Sequence, residues 1–300
     1  MSHLRFVRFT PFTTSIGAAI LVAALAACSS GSATSPNSNP VSDQQVSNDV
    51  ASASAPDVAG DAGDFNAEGQ GGSNFGMIAG TPSSKFGGMS GSSTTCGPST
   101  TIMIMYYFGR DLQDTITFNR TREWFANGAC ATSWSPSVDS VEYVGTWDAD
   151  LADVSGKWSK HVDRVRNSSV MGSPTLDSAT SHVWNANALV HDTIQFVGAV
   201  NTRNYAGIAY DTATTVTFNH PRNGEIYPIS GTWTRWATWN LTVTGAVTKN
   251  ETVERHILVT FNGTEFVPLT VYNVQTGQIA LSCQVDLATH RIVPGSCSSN

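Results

Sequence analysis

Charge is what this sequence has least of. Only 13% of its 300 residues are Asp, Glu, Lys or Arg, against about a quarter in an average soluble protein. The water-facing surface must then be built from Thr, Ser, Asn and Gly, a composition that fits an exported β-protein. Basic residues are the rarer sign, 16 against 23 acidic, for a net charge of −7. That disfavours nucleic acid as a partner, because phosphate binding needs a concentrated positive patch. The one basic run, "KWSKHVDRVR", places Lys157, Lys160, Arg164 and Arg166 around Asp163 and reads as a solvated strand face. Chemical motifs are missing too. No HExxH, CxxCH or CxxC spacing occurs, which argues against a zinc-protease helix, a haem attachment or a zinc knuckle. "DADLAD", with Asp148, Asp150 and Asp153, lacks the glycine and distal glutamate of a calcium loop and reads as a turn or helix start. "GGMSGSS" around Ser90 lacks the GxSxG spacing of a nucleophile elbow.

What is present begins with the leader. "MSHLRFVRF" carries Arg5 and Arg8 without an acid, and a twelve-residue apolar run from Ile16 to Ala27 follows. A permanent membrane helix needs about 20 residues, so the run reads as a removable signal peptide over 1–27. "LAAC", Leu25 to Cys28, resembles the lipobox of bacterial lipoproteins. That resemblance implies lipidation of Cys28 as the first mature residue. Ser29 and Ser30 behind it imply the outer membrane as the destination. Loss of the two arginines leaves 14 basic residues against 23 acidic, a net charge of −9.

From Cys28 to residue 95 the chain is Ser, Gly, Asn, Asp, Ala and Pro, and it reads as an acidic disordered tether. Within it, "QQVSNDVASASAPDVAGDAGDF", Gln44 to Phe65, has the makings of short helical turns around Val46, Val50 and Val58, interrupted by Pro56. From Cys96 onward Thr, Val, Ile, Trp, Tyr and Phe alternate as on a pleated surface. Asn127-Gly128 and Asn223-Gly224 are hairpin signals. The last third reads as a meander over 225–244, 252–261, 265–274 and 278–287. Two segments, "SVDSVEYVGTWDADLADVSGKW" and "SATSHVWNANALVHDTIQF", are where a short helix would sit.

"GTWTRWATWNLTVTG", Gly231 to Gly245, has tryptophan at every third position. Counting by twos resolves it: Trp233 and Trp239 share an apolar face, and Trp236 falls on a threonine-rich one. An apolar face this long requires a cover, and residues 97–215 are expected to provide most of it. The domain over 96–300 is therefore expected to be all-β. Its core would be a long, curled, predominantly antiparallel sheet, closing as a half-barrel or sandwich, with at most short helices. "VTFNGT" and "DLAT", at Val259–Thr264 and Asp286–Thr289, make the last third similar to uncharacterised Thr-rich envelope lipoproteins, a likeness that implies no activity.

Four cysteines remain after Cys28: Cys96, Cys130, Cys283 and Cys297. An even number in an exported chain implies two disulfides, and Cys96–Cys130 with Cys283–Cys297 would close local loops. Arg235 and Arg255 lie on otherwise apolar parities. If Val243 pairs with Val253, they face Phe261 and Leu241. Buried, each would need a carboxylate or an anionic ligand; a strand end or bulge would return it to water. Trp236 among threonines could form a carbohydrate platform, since an indole stacks on sugar rings while hydroxyls meet their polar groups. His161 and Asp163 share a strand face, while His182, His191 and Asp192 flank "VWNANALV"; exposed or capped histidines are the reading taken, and no catalytic or metal residue is assigned. The chain is thus expected to be an envelope lipoprotein that binds or scaffolds. Arg235, Arg255, Trp233, Trp236 and Trp239 are the candidate residues for an apolar or amphipathic ligand. A surface adhesion or carbohydrate-interacting protein and a hydrolase with an unrecognised site are the alternatives. No cofactor is implied; the partners are the membrane, through the anchor, and a lipid or glycan ligand.

Overall fold

Alternation of period two organises nearly the whole chain beyond residue 98, not only its last third. The computed structural model describes residues 41–69, 99–108, 112–131, 137–153, 155–172, 181–219, 227–246 and 248–299. The strands are β1 (Ser99–Phe108), β2 (Leu112–Ala126), β3 (Ala129–Ala131), β4 (Ser140–Asp153), β5 (Trp158–Gly172), β6 (Ser181–Val197), β7 (Asn201–Asn219), β8 (Ser230–Gly245), β9 (Lys249–Thr260), β10 (Phe266–Asn273), β11 (Ile279–Asp286) and β12 (Arg291–Ile292). Each pairs antiparallel with its neighbours in sequence, β3 standing off the path against β2. Local register is set by tight hairpins such as Asn127–Gly128, both residues at positive φ (52° and 75°). That is the backbone Asn-Gly supplies most readily. Asn223-Gly224 lies outside the described residues.

This corrects the expected architecture. The ladder runs open from β1 to β12, with no second sheet and no pairing between its two end strands among the described residues. It is neither a closed half-barrel nor a sandwich. The described residues of 97–215 do not cover the meander; they extend it as β1 to β7. The two segments expected to hold a short helix are strands, β4 running into β5, and β6. Their inward positions Val141, Tyr143, Trp184 and Val190 are buried, and β-branched and aromatic residues at alternate positions favour the extended form.

The cover is α1 (Asp43–Gly69), a 27-residue helix about 40 Å long, drawn from the stretch expected to be a disordered tether. The tether reading is corrected for these residues; 28–40 and 70–95 lie outside the described ones, as do the leader and Cys28. Ser42 caps the helix, its Oγ accepting from Gln45 N–H at 3.1 Å, the first half of an S-x-x-Q capping box. Pro56 does not end it. The only backbone bond the ring removes is the one to the carbonyl of Ser52, which is exposed and open to water. Val46, Val50, Ala51, Ala55, Val58, Ala59 and Ala62 are all buried, and so are residues on most other sides of the helix. Such a helix has no apolar stripe to detect, and its small side chains let strand side chains approach closely. The helix packs against β5, β6, β10, β11 and β12. No helix among the described residues is long and apolar enough to cross a membrane.

Candidate functional site

The face of the sheet turned toward α1 carries ions as well as apolar residues. Five aspartates of the helix each meet a cation of the sheet. Asp43 pairs with Arg255. Asp49 takes a two-pronged bond from Arg203 (2.5 and 3.0 Å) and the hydroxyl of Tyr205 (2.8 Å). Asp57 lies 2.5 Å from both Lys160 Nζ and Arg235 Nη1. Asp61 accepts both prongs of Arg164 at 2.6 Å, Arg166 at 2.8 Å and the indole N–H of Trp233 at 2.8 Å. Asp64 lies 3.2 Å from Arg166. Two sheet aspartates complete the array: Asp211 holds Arg235 through two bonds of 2.7 Å, and Asp192 accepts the indole N–H of Trp239 at 2.6 Å.

Buried charge on this scale is tolerable only when every ion is paired. Burial pushes the Asp57 carboxyl up, but Lys160 and Arg235 outweigh it and hold the group at about 2. Asp61 is lowered in the same way, Arg164 and Arg166 overcoming its desolvation. The guanidinium of Arg235 is desolvated yet held well above its ordinary range by Asp211 and Asp57. Arg166 also lies over the rings of Trp147 (4.4 Å) and Trp184 (5.4 Å).

The predicted residues divide between the two faces. Trp233, Trp239 and Arg235 are 0–1% exposed and Arg255 is 5%. The register slides four residues from the expected one: Val243 pairs with Lys249, Arg235 with Ile257 and Arg255 with Ala237. Neither arginine is at a strand end or in water, and neither awaits an external anion. The carboxylates each requires come from α1 and Asp211. The reading of "KWSKHVDRVR" as a solvated face is corrected too, since Lys160 and Arg166 are buried. The signal was in the parity: Lys160, Arg164 and Arg166 share their face with Val162 and Val170. Gly207 makes room for Trp239 opposite, where a Cβ would lie 2.8 Å from the indole Cδ1.

Trp236 points the other way, 52% exposed. It belongs to a row that crosses the outer face strand by strand: Val165, Leu189, Tyr210, Trp236, His256, Tyr272 are successive cross-strand partners from β5 to β10. Five strand intervals make the row about 24 Å long. Trp236 and His256 stack at 4.1 Å with planes 14° apart, and His256 and Tyr272 at 5.4 Å. Burial lowers the His256 pKa, so at neutral pH the row is uncharged. Tyr210 is 61% exposed. On one side runs a row of amides and hydroxyls, Asn167, Asn187, Thr212 and Thr234. On the other runs Asp163, His191, Ile208, Thr238 and Glu254. Where the central row reaches β5 and β6, an open hollow of about 330 Å³ is bounded by Asn119, Asp148, Asp163, Val165, Leu189 and His191.

Beside the hollow, Asp148, His161 and Asp163 bring ligand atoms within 4.8 Å of one another, near enough for one cation. In the structure the imidazole takes that place. Its Nδ1 is 2.9 Å from Asp150 and its Nε2 is 3.6 Å from Asp163. The hydrogen bond with Asp150, aided by the surrounding carboxylates against slight desolvation, raises its pKa.

Cys283 and Cys297 form a disulfide across 14 residues of sequence, fastening the C-terminal tail to β11. Cys130 is disulfide-bonded as well, while Cys96 lies outside the described residues. No model of a known family, no curated protein and no solved structure matches this chain.

Proposed function

We propose that the chain is an envelope lipoprotein, anchored in the outer membrane through Cys28, that binds carbohydrate on the outer face of its sheet. The observation that carries this reading is the uncharged row of Tyr210, Trp236, His256 and Tyr272, flanked on both sides by amides, hydroxyls and carboxylates. Sugars present apolar C–H faces ringed by hydroxyls. Aromatic rings cover the first, and Asn, Thr and Asp side chains exchange hydrogen bonds with the second. The row's length suits an oligosaccharide better than a single sugar, and the hollow at its β5–β6 end would hold a terminal residue. On the inner face the described cations already hold carboxylates of α1 and Asp211.

Titration of the folded full chain with envelope and cell-surface polysaccharides, followed by calorimetry, tests the proposal. Trp236→Ala and Tyr210→Ala should each weaken binding about tenfold, roughly 1.4 kcal/mol, while melting temperature barely moves. A parent chain that binds no glycan, or variants that bind as the parent does, would overturn it.

A further inference from the structure

In sequence His161 and Asp163 merely share a strand face. The pairing of β4 with β5 adds two more residues to that face, Asp150 opposite His161 and Asp148 opposite Asp163. Like charges directly opposite on neighbouring strands repel, and β4, β5 and β6 carry no Lys or Arg at their outward positions. Among the four residues only His161 can carry a positive charge. Its imidazole is oriented as that of a metal ligand is. Nδ1 lies 2.9 Å from Asp150 Oδ1, and a carboxylate that accepts one ring N–H leaves the other nitrogen its lone pair. That nitrogen, Nε2, lies 3.6 Å from Asp163 Oδ2. A tetrahedral ion with bonds of about 2.1 Å holds its ligand atoms about 3.4 Å apart. Asp148 completes a set whose ligand atoms all lie within 4.8 Å of one another. Asp148 and Asp163 are both 64% exposed, so small rotations of free side chains close the remaining gap.

We propose that Asp148, His161 and Asp163 bind one divalent transition-metal ion of the zinc type, with Asp150 as the positioning residue that holds the imidazole. The donor set selects the ion. Imidazole together with carboxylates suits zinc, whereas calcium takes oxygen donors alone. All four residues lie within two long paired strands, β4 and β5, so the backbone fixes their spacing before any ion arrives. The hollow that Asp148 and Asp163 border leaves the fourth position of the ion open to water. Binding would neutralise the two facing carboxylates. The site does not depend on glycan binding, and its test contains no glycan.

The test uses the full chain without a histidine tag, stripped by chelator and titrated calorimetrically with Zn2+ alone. One ion per chain is expected, and saturation should raise the melting temperature. His161→Ala and Asp163→Asn should each weaken Zn2+ binding by more than about tenfold, the loss that removing even an outer partner of a ligand brings. Asp150→Ala should weaken it about tenfold. Asp150→Asn keeps the acceptor for Nδ1–H and should recover most of that loss. Equal melting temperatures of the stripped variants and the stripped parent establish that each is folded. A parent chain that takes up no Zn2+, or His161→Ala binding it as the parent does, would overturn the site. Ca2+ bound more tightly than Zn2+, and undiminished by His161→Ala, would overturn the nitrogen ligand in favour of carboxylates alone. Equal losses from Asp150→Ala and Asp150→Asn would overturn the positioning role.

Discussion

Trp233 and Trp236 are three residues apart on one strand and live in different chemistries. The first is sealed inside, its indole N–H committed to Asp61; the second stands half in solvent, stacked on His256. The contrast extends to the two faces of the sheet. The inner face holds described cations each matched by a carboxylate, from a helix of another part of the chain and from Asp211 and Asp192. The outer face holds uncharged rings in a frame of polar groups, and among the described residues no helix or second sheet packs over them. Burial and binding have been sorted by strand parity, so a side chain's face, more than its type, tells what it does.

Breaking the inner face should cost most. Asp61→Ala leaves Arg164, Arg166 and the Trp233 indole without their shared acceptor, and loss of one partner of a buried ionic cluster costs about 3–5 kcal/mol. Urea denaturation should show the midpoint collapsing or the protein failing to fold. Asp150→Ala, exposed on the outer face, should change stability by no more than about 0.5 kcal/mol. A comparable loss from both would erase the distinction.

A finer cut exchanges tryptophans. Trp239→Ala opens a cavity in the core and strands Asp192, and should cost about 3–5 kcal/mol. Trp236→Ala should cost about 1 kcal/mol or less, its effect appearing in glycan binding. Thermal melts of the two variants side by side decide this.

Acid should reach the inner face late. Asp57 has its pKa lowered from 3.8 to about 2, so the folded state binds that proton less readily than the unfolded one. The resulting stability is present above pH 4 and is lost as pH falls through about 2. The shift corresponds to about 2 kcal/mol. Denaturant midpoints measured from pH 5 down to pH 2 should fall mainly at the lower end of that range.

The smallest effect is expected from His161. Its raised pKa makes a contribution that is present below the unfolded value of 6.5 and lost as pH rises through the folded one. Water screens so exposed a cluster, and His161→Ala should change stability by less than about 0.5 kcal/mol at any pH from 5 to 8. A larger loss would give the outer carboxylates a structural role.

Several parts of this arrangement were legible in residue order. The opposition of Trp236 to Trp233 and Trp239 follows from a period of two, and the strands of the last third were legible to within a few residues at their ends. The demand of Arg235 and Arg255 for carboxylates followed from their parity. The register of β8 against β9 was not legible, because a meander with apolar residues at every second position tolerates slips of two or four without exposing its core. Short helical turns around Val46, Val50 and Val58 were legible, but one continuous helix through Pro56 was not, because Ala, Ser, Gly and Asp make no amphipathic stripe and composition alone cannot separate a disordered segment from a helix buried on nearly all sides.

What the sequence determined by itself is the alternation: which residues of each strand share a face, and that Arg235 and Arg255 fall on otherwise apolar faces; that Lys160, Arg164, Arg166 and Arg203 also turn toward the helix was not read from it. Only the tertiary structure decided what those cations meet. Asp43, Asp49, Asp57, Asp61 and Asp64 are about 100 to 210 positions from their partners. Strand parity is local and is set by backbone geometry. Charge neutralisation inside a core is not local, because a buried ion can be satisfied by any segment that folding brings within about 3 Å of it.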